Sequence, residues 1–272
     1  MKERREAIRH YIESRGEVTI GQLAAEFTEW SEMTLRRDLD FLAAEKVVIL
    51  TRGGARLIPA HYGFLGEDIY SERELRNYPL KQAIAAAAAK LVEPGKGIFI
   101  DAGTTAMAFA RALPDYRLVV VTSAPNIALE VVTQKKNPSV VQLGGTLSRN
   151  TLSVSDPAVA AQLAALNIDT AFMCASGFDE RAGFSAGSQL DCLLKREVIS
   201  RARRVVMMID SSKIGALLPF SFASPDEVDL CITDDGVPAE LRRHWPEKIQ
   251  VASAHPHAEA GKRRIQKQTV RE

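Results

Sequence analysis

The apolar positions change their period along the chain, and each change marks an element. Between Lys2 and Arg15 the residues Ala7, Ile8, Tyr11 and Ile12 form a helical stripe, and Gly16 ends it as a C-cap does. Thr19 then precedes Ile20, Leu23, Ala24 and Phe27 at helical spacing, with Gln22 three residues on as its capping-box partner. Ser31 caps a third helix, SEMTLRRDLDFLAAEK, in which Leu35, Leu39 and Leu42 point inward while Thr34, Arg36, Arg37 and Asp40 take other faces. The pattern next turns extended. VVILT, the turn Arg52-Gly53-Gly54-Ala55 and Arg56-Leu57-Ile58 predict a small hairpin, or wing. Two short helices turning sharply into a third, followed by a hairpin, predict a winged helix-turn-helix over residues 1–58.

Residues 59–75 lack a strong period and carry Pro59, Gly63 and Gly66, which reads as a linker. The run LKQAIAAAAAKLV predicts a strong helix ending at Pro94-Gly95. Apolar runs then alternate with helical ones: IFID (98–101), LVVVT (118–122), SVVQLGG (139–145), DTAFMCASG (169–177), VVMMID (205–210) and DLCITDD (229–235). Near-continuous apolar strands separated by helices predict a mostly parallel sheet covered on both faces, an α/β domain over residues 76–253. The remainder, 254–272, is basic and poor in apolar residues, so it is expected to be disordered, and its Lys262, Arg263 and Arg264 add weak non-specific attraction for DNA.

Candidate chemistry concentrates at strand ends. Asp101 closes a strand, Gly103, Thr104 and Thr105 make a polar turn, and a helix follows at once. Glycine lets the backbone approach a ligand, and first-turn N–H groups with threonine hydroxyls favour an anion such as phosphate. An ordinary capped helix uses the same letters. Other strands end similarly, in Thr122 and Ser123, Gly144 and Gly145, Ser176 and Gly177 through Asp179, Asp210 through Lys213, and Thr233 through Asp235. Turn residues alone explain any single one; together they define an open, donor-lined pocket at the carboxyl edge of the sheet. Lys213 supplies a cation for a phosphate and Lys195 a second. On the first domain, Ser31, Thr34, Arg36, Arg37 and Arg52 suit phosphates and base edges, Met33 a thymine methyl, and Thr19 joins them at the head of the second helix.

Composition adds limits. A formal net charge of +1 over 272 residues advertises neither nucleic acid nor membrane, and within residues 1–58 ten Lys and Arg balance ten Asp and Glu. The basic residues matter through placement, paired on the third helix and at the wing turn. Three widely spaced cysteines suit reduced thiols in the cytoplasm and give no zinc spacing, so neither metal nor cofactor is expected. No apolar run reaches the roughly 18 residues of a membrane span.

SEMTLRRDLDFLAAEKVVILTRGGA resembles the DNA-binding signature of the DeoR family of bacterial transcriptional regulators, without a gap from Arg4 to Ala55. Trp30 stands where that family carries a small aliphatic residue, and Thr51 where its wing has His. DAGTT, the Thr-Ser after the next strand, GGTL, ASGFD, Lys195 and DSSKIG follow the order of the family's effector-binding domain over residues 73–252, with Ala124 after Ser123 and Ser155-Asp156-Pro157 as departures. The resemblance implies a ribose-5-phosphate-isomerase-like sensor fold. It also implies that Asp101, Gly103, Thr104, Thr105 and Lys213 hold the phosphate of a sugar phosphate, while residues near Thr122, Gly144, Gly177 and Lys195 read its body. The implied function is a repressor of sugar-metabolism genes, acting on double-stranded operator DNA as a homo-oligomer, dimer or tetramer. Two alternatives stay open: an isomerase- or deaminase-like enzyme using Asp179, Glu180 and Lys195, and a regulator that needs no effector.

Overall fold

The computed structural model describes residues 2–44, 47–51, 53–57 and 70–254. Arg52, the linker stretch 58–69 and the tail from 255 onward lie outside the described residues. The chain divides into two compact units, Met1–Phe64 and Leu65–Glu272.

The first unit runs α1 (Lys2–Arg15), β1 (Glu17–Thr19), α2 (Ile20–Glu26), α3 (Glu32–Ala44), β2 (Val48–Thr51) and β3 (Gly54–Leu57). Its core joins Ile8 and Ile12 of α1, Leu23 of α2, and Leu35, Leu39 and Leu42 of α3 to Val18, Val48 and Ala55 of the strands. Gly16 leaves α1 with φ at 74°, and the Thr19 hydroxyl accepts from the Gln22 amide at 3.2 Å while Gln22 Oε1 accepts from the Thr19 amide at 2.8 Å. Three antiparallel strands in the order β1-β3-β2 form the wing sheet, one strand more than the hairpin expected. That extra strand explains Gly54: a Cβ there would stand 2.0 Å from the Val18 carbonyl oxygen.

The second unit contains α4 (Tyr70–Leu75), α5 (Tyr78–Ala89), β4 (Gly97–Ile100), α6 (Thr104–Ala112), β5 (Val119–Thr122), α7 (Pro125–Gln134), β6 (Ser139–Gln142), β7 (Thr146–Leu147), β8 (Val154–Ser155) and α8 (Val159–Leu163). It continues through β9 (Ile168–Met173), β10 (Gly177–Asp179), β11 (Gly183–Ala186), α9 (Gln189–Arg201), β12 (Ala202–Met208), β13 (Phe220–Ala223), β14 (Leu230–Thr233), α10 (Ala239–His244) and β15 (Ile249–Val251). Seven parallel strands make the main sheet, in the order β15-β14-β12-β9-β4-β5-β6. Alternate residues feed opposite layers. Ile98, Ile100, Phe172 and Met208 enter the core with α5 and α6, while Phe99, Met173, Val205 and Met207 enter the one with α9.

Two expectations change. Residues 70–75 are helix, not linker, because the buried Tyr70 anchors α4 in the core with α5 and α6. The stretch 169–177 is not one strand: β9 ends at Met173, and Gly177 opens β10 of a separate antiparallel sheet, β10-β11-β13. The glycine is required there, since a Cβ would meet the Ala216 carbonyl oxygen at 2.5 Å.

Candidate functional site

On the first unit, α3 presents Met33, Arg36, Arg37 and Asp40 on one exposed face, at spacings that put them side by side; Met33 is 66% exposed. Neither arginine has an ion-pair partner among the described residues. Asp38, between inward leucines, behaves differently. It is 1% exposed and accepts from Arg4 Nε at 2.5 Å and Arg5 Nε at 2.9 Å, so it fastens α3 to α1. Burial pushes its carboxyl up, but the two guanidiniums outweigh this and hold it below the ordinary aspartate value. Trp30 stacks on Phe27 and lies under the Arg4 guanidinium, whose carbon is 5.5 Å from the ring centroid. Thr19 caps α2, and Ser31 accepts from the Thr34 amide at the head of α3.

In the sheet, the chain runs β4, β5, β6 to one side and then returns to β9, β12, β14 and β15 on the other, so the strand order reverses between β4 and β9. Open α/β sheets bind ligands at the carboxyl side of such a switch point. Asp101, Gly103, Thr104 and Thr105 stand there. Gly103 has φ at 113°, and its missing Cβ faces open space, while Thr104 and Thr105 open α6.

Asp101 does not face a ligand. Its carboxylate is 0% exposed and accepts from the Ala102 amide, the Cys174 amide and the Lys195 ammonium. Lys195 also reaches the Cys174 carbonyl at 3.2 Å and lies 3.6 Å from Asp191. Burial would push this lysine down, but Asp101 and Asp191 outweigh it and hold it above the ordinary lysine range. A lysine so compensated offers no net positive charge to a phosphate. The cluster instead ties β4 to β9 across the switch point. Beside it, burial and then the Asp101 charge push the Cys174 thiol up to about 12, opposed by Lys195, the Ala106 amide and Arg73.

Two strands away, at the end of β12, Asp210 Oδ1 accepts from Asn77 Nδ2 at 3.0 Å and from the Ser212 hydroxyl, and Lys213 follows. β4 and β12 flank β9, so their ends stand roughly 10 Å apart. Lys81 of α5, which sequence reasoning missed, joins this end. It is 4% exposed, donates to the carbonyls of Arg73 and Arg76, and feels the charges of Asp210 and Lys213. Burial is the main cause of its fall to about 8. A single lysine on the apolar face of an alanine-rich helix was its one sequence signal.

The remaining residues divide. Thr122 accepts from the Ala124 amide, closing its own turn, and Ser123 is fully buried with a hydroxyl that finds no protein partner. Gly144 is clasped to Gln162 by both backbone groups, and Gly145, at φ 144°, passes close to Ser155. The Ser176 amide donates to the Ser185 carbonyl. Gly177 is a packing position.

Residues 4–60 match the DeoR-like helix-turn-helix domain and residues 76–235 the DeoR C terminal sensor domain. The chain belongs to the DeoR family. Among DeoR-type relatives, it is 34% identical to the transcriptional regulator YulB of Bacillus subtilis over 92% of this chain and 96% of that one. It is 30% identical to the transcriptional repressor GlcR of the same organism, over 86% and 88%. Ribose 5-phosphate isomerase A from Methanocaldococcus jannaschii is a loose structural likeness, covering 51% of this DeoR chain and 55% of its own at 20% identity and a TM-score of 0.38. Among the described residues of this DeoR protein no helix is long and apolar enough to cross a membrane, and no group of His, Cys, Asp and Glu could hold a metal.

Proposed function

We propose that this DeoR-family protein is a cytoplasmic repressor of sugar-metabolism genes that releases double-stranded operator DNA when a phosphorylated sugar binds its sensor domain. The observation that carries the reading is the Gly103–Thr105 turn, which opens α6 at the switch point of the sheet. The phosphate sits on the first turn of α6, where N–H groups and hydroxyls converge, and is neutralised from the β12 side by Lys213 and Lys81. Asp101 and Lys195 hold the turn rather than the ligand. The sugar body extends over β9 and β5, toward Ser176, Ser123 and the Gly144-Gly145 loop; the orphan Ser123 hydroxyl supports a polar occupant. On DNA, Arg36, Arg37 and Met33 read the major groove, and Thr19, Ser31, Thr34 and Arg52 meet the backbone. Paired half-sites require at least a dimer, and an effector that favours one quaternary arrangement shifts operator occupancy. The name of GlcR supports the repressing sign.

The enzymatic alternative is weaker. Asp179 spends one oxygen on the Arg181 and Ala182 amides at 2.9 Å, Glu180 faces His244 at 3.5 Å, and Lys195 is enclosed by carboxylates. Each of these three side chains is already engaged.

The test is a thermal-shift screen of the full chain against sugar phosphates, each paired with its free sugar. Ligand at about 100 times its dissociation constant stabilises by about 2.7 kcal/mol, a plain shift. The expected result is a shift with a phosphorylated sugar and none with its free counterpart; no shift with any phosphate overturns the pocket.

A further inference from the structure

The corner between α4 and α5 is tied to two neighbouring loops and closed on itself by a third set of bonds. Arg73 of α4 donates to the Asn150 carbonyl at 3.1 Å, in the loop between β7 and β8 that follows Gly144-Gly145. Lys81 of α5 donates to the Arg73 and Arg76 carbonyls, closing the last turn of α4 onto the first turns of α5. Between the helices, Asn77 donates to Asp210 Oδ1 at 3.0 Å and to the Ser212 hydroxyl at 3.2 Å, the loop that carries Lys213. Asn77 does so from a left-handed backbone, φ 56° and ψ 31°, a conformation asparagine tolerates better than most residues but at some cost. Asn77 lies two residues past Leu75, where a left-handed residue often ends a helix, and its side chain makes no cap bond to α5. The conformation brings its amide to the Asp210 loop. The Arg73 charge also acts, as the weakest of several causes, to lower the Cys174 thiol just past the end of β9. α4 is also the first described element after residues 58–69, the covalent path to the winged unit.

We infer that the α4–α5 corner reports occupancy of the pocket to the DNA-binding unit, with Asn77 as the positioning residue that couples the Asp210–Lys213 loop to α4. The inference rests on the anion-pocket reading above. An anion held by Lys213 and Lys81 re-partitions the bonds those loops and ammonium groups make. Asp210 and the Lys81 ammonium are already spent on the corner, so the loop cannot shift without shifting Asn77 and the end of α4. A ligand acts on the DNA-binding unit only through such a difference in contacts between two states.

Amide hydrogen exchange of the full chain tests it, with inorganic phosphate as the probe and chloride at equal ionic strength as the control. Phosphate at about ten times its dissociation constant slows exchange up to roughly tenfold at amides whose opening releases the ion. In the native chain slowing is expected both at the site, residues 103–107 and 210–214, and at the corner, residues 70–78. Asn77→Gly keeps the left-handed backbone, which glycine adopts freely, and removes only the side-chain bonds. That variant is expected to keep the slowing at the site and lose it at the corner. Slowing at the site with an unchanged corner in the native chain overturns the coupling, and needs no variant to fold. A corner that still responds in Asn77→Gly overturns the role of Asn77. No slowing anywhere in the native chain overturns the pocket reading and the coupling with it.

Discussion

Replacing Lys195 by methionine removes a charge while nearly keeping volume, and the structure sets what that costs. One ammonium serves two carboxylates, Asp101 at 0% and Asp191 at 6% exposure, and caps the Cys174 carbonyl. Without it Asp101 keeps only its two amide donors among the described residues, and Asp191 loses the ammonium 3.6 Å away. Breaking a buried pair from one side costs about 3–5 kcal/mol, because the carboxylate left behind loses its counter-charge where water does not reach. At roughly 2–4 °C per kcal/mol for a domain of this size, the sensor unit of Lys195→Met melts roughly 6–20 °C below the native protein. Differential scanning calorimetry or circular dichroism of the full chain reads it. Asp101→Asn alone is milder, since Lys195 retains Asp191. In the double variant Asp101→Asn/Lys195→Met the penalties are expected to sum to less than their parts, because the amide no longer needs a cation. A methionine variant within about 1 kcal/mol of native, or strictly additive penalties, refutes the assignment of Lys195 to charge compensation rather than to the ligand.

Other outcomes follow from particular contacts. Asp38→Ala frees Arg4 and Arg5 from their anchor on α3, so the winged unit is expected to lose about 2 kcal/mol and operator affinity to fall in mobility-shift titration, although Asp38 is buried away from the reading face. Because its folded value lies below its unfolded one, the Asp38 contribution is present above the unfolded aspartate value and is lost as pH falls through the folded one; Asp38→Asn is expected to flatten that acid limb. Lys81, at about 8 in the folded chain and about 10.4 unfolded, makes the protein more stable as pH rises from 8 toward 10.4. By the same titration, calorimetric sugar-phosphate affinity falls by up to about tenfold per pH unit above 8, and Lys81→Met removes that dependence. Gly54→Ala drives a methyl into the Val18 carbonyl oxygen, so exchange at the β1 and β3 amides is expected to rise sharply while the sensor unit is unaffected.

The sequence showed most where one periodicity persisted. α1 to α3, α5 and the parallel strands through β14 are long or apolar enough for the pattern to speak. Three features escaped it for stated reasons. β1 has three residues and a single buried one, Val18; α4 is six residues whose buried contact is the lone Tyr70; and β10, β11 and β13 pair antiparallel across distant segments that carry no strong alternation. The strand ends proposed as the pocket were legible as strand ends, because parallel topology collects them on one edge. Roles within it were not. Lys195 meets a carboxylate 94 residues away, and nothing local tells that lysine from a solvated one.

The wing and the sensor each close a core of their own: Ile8, Leu35 and Ala55 belong to one cluster, Phe99, Phe109 and Met207 to others. Substitutions on the outward face of α3 therefore leave the packing of the sheet untouched, and exchanges of the loops after β6 and β12 leave the winged core untouched. Address and trigger can drift separately. A chimaera joined within residues 58–69 should inherit its target site from one parent and its inducer from the other.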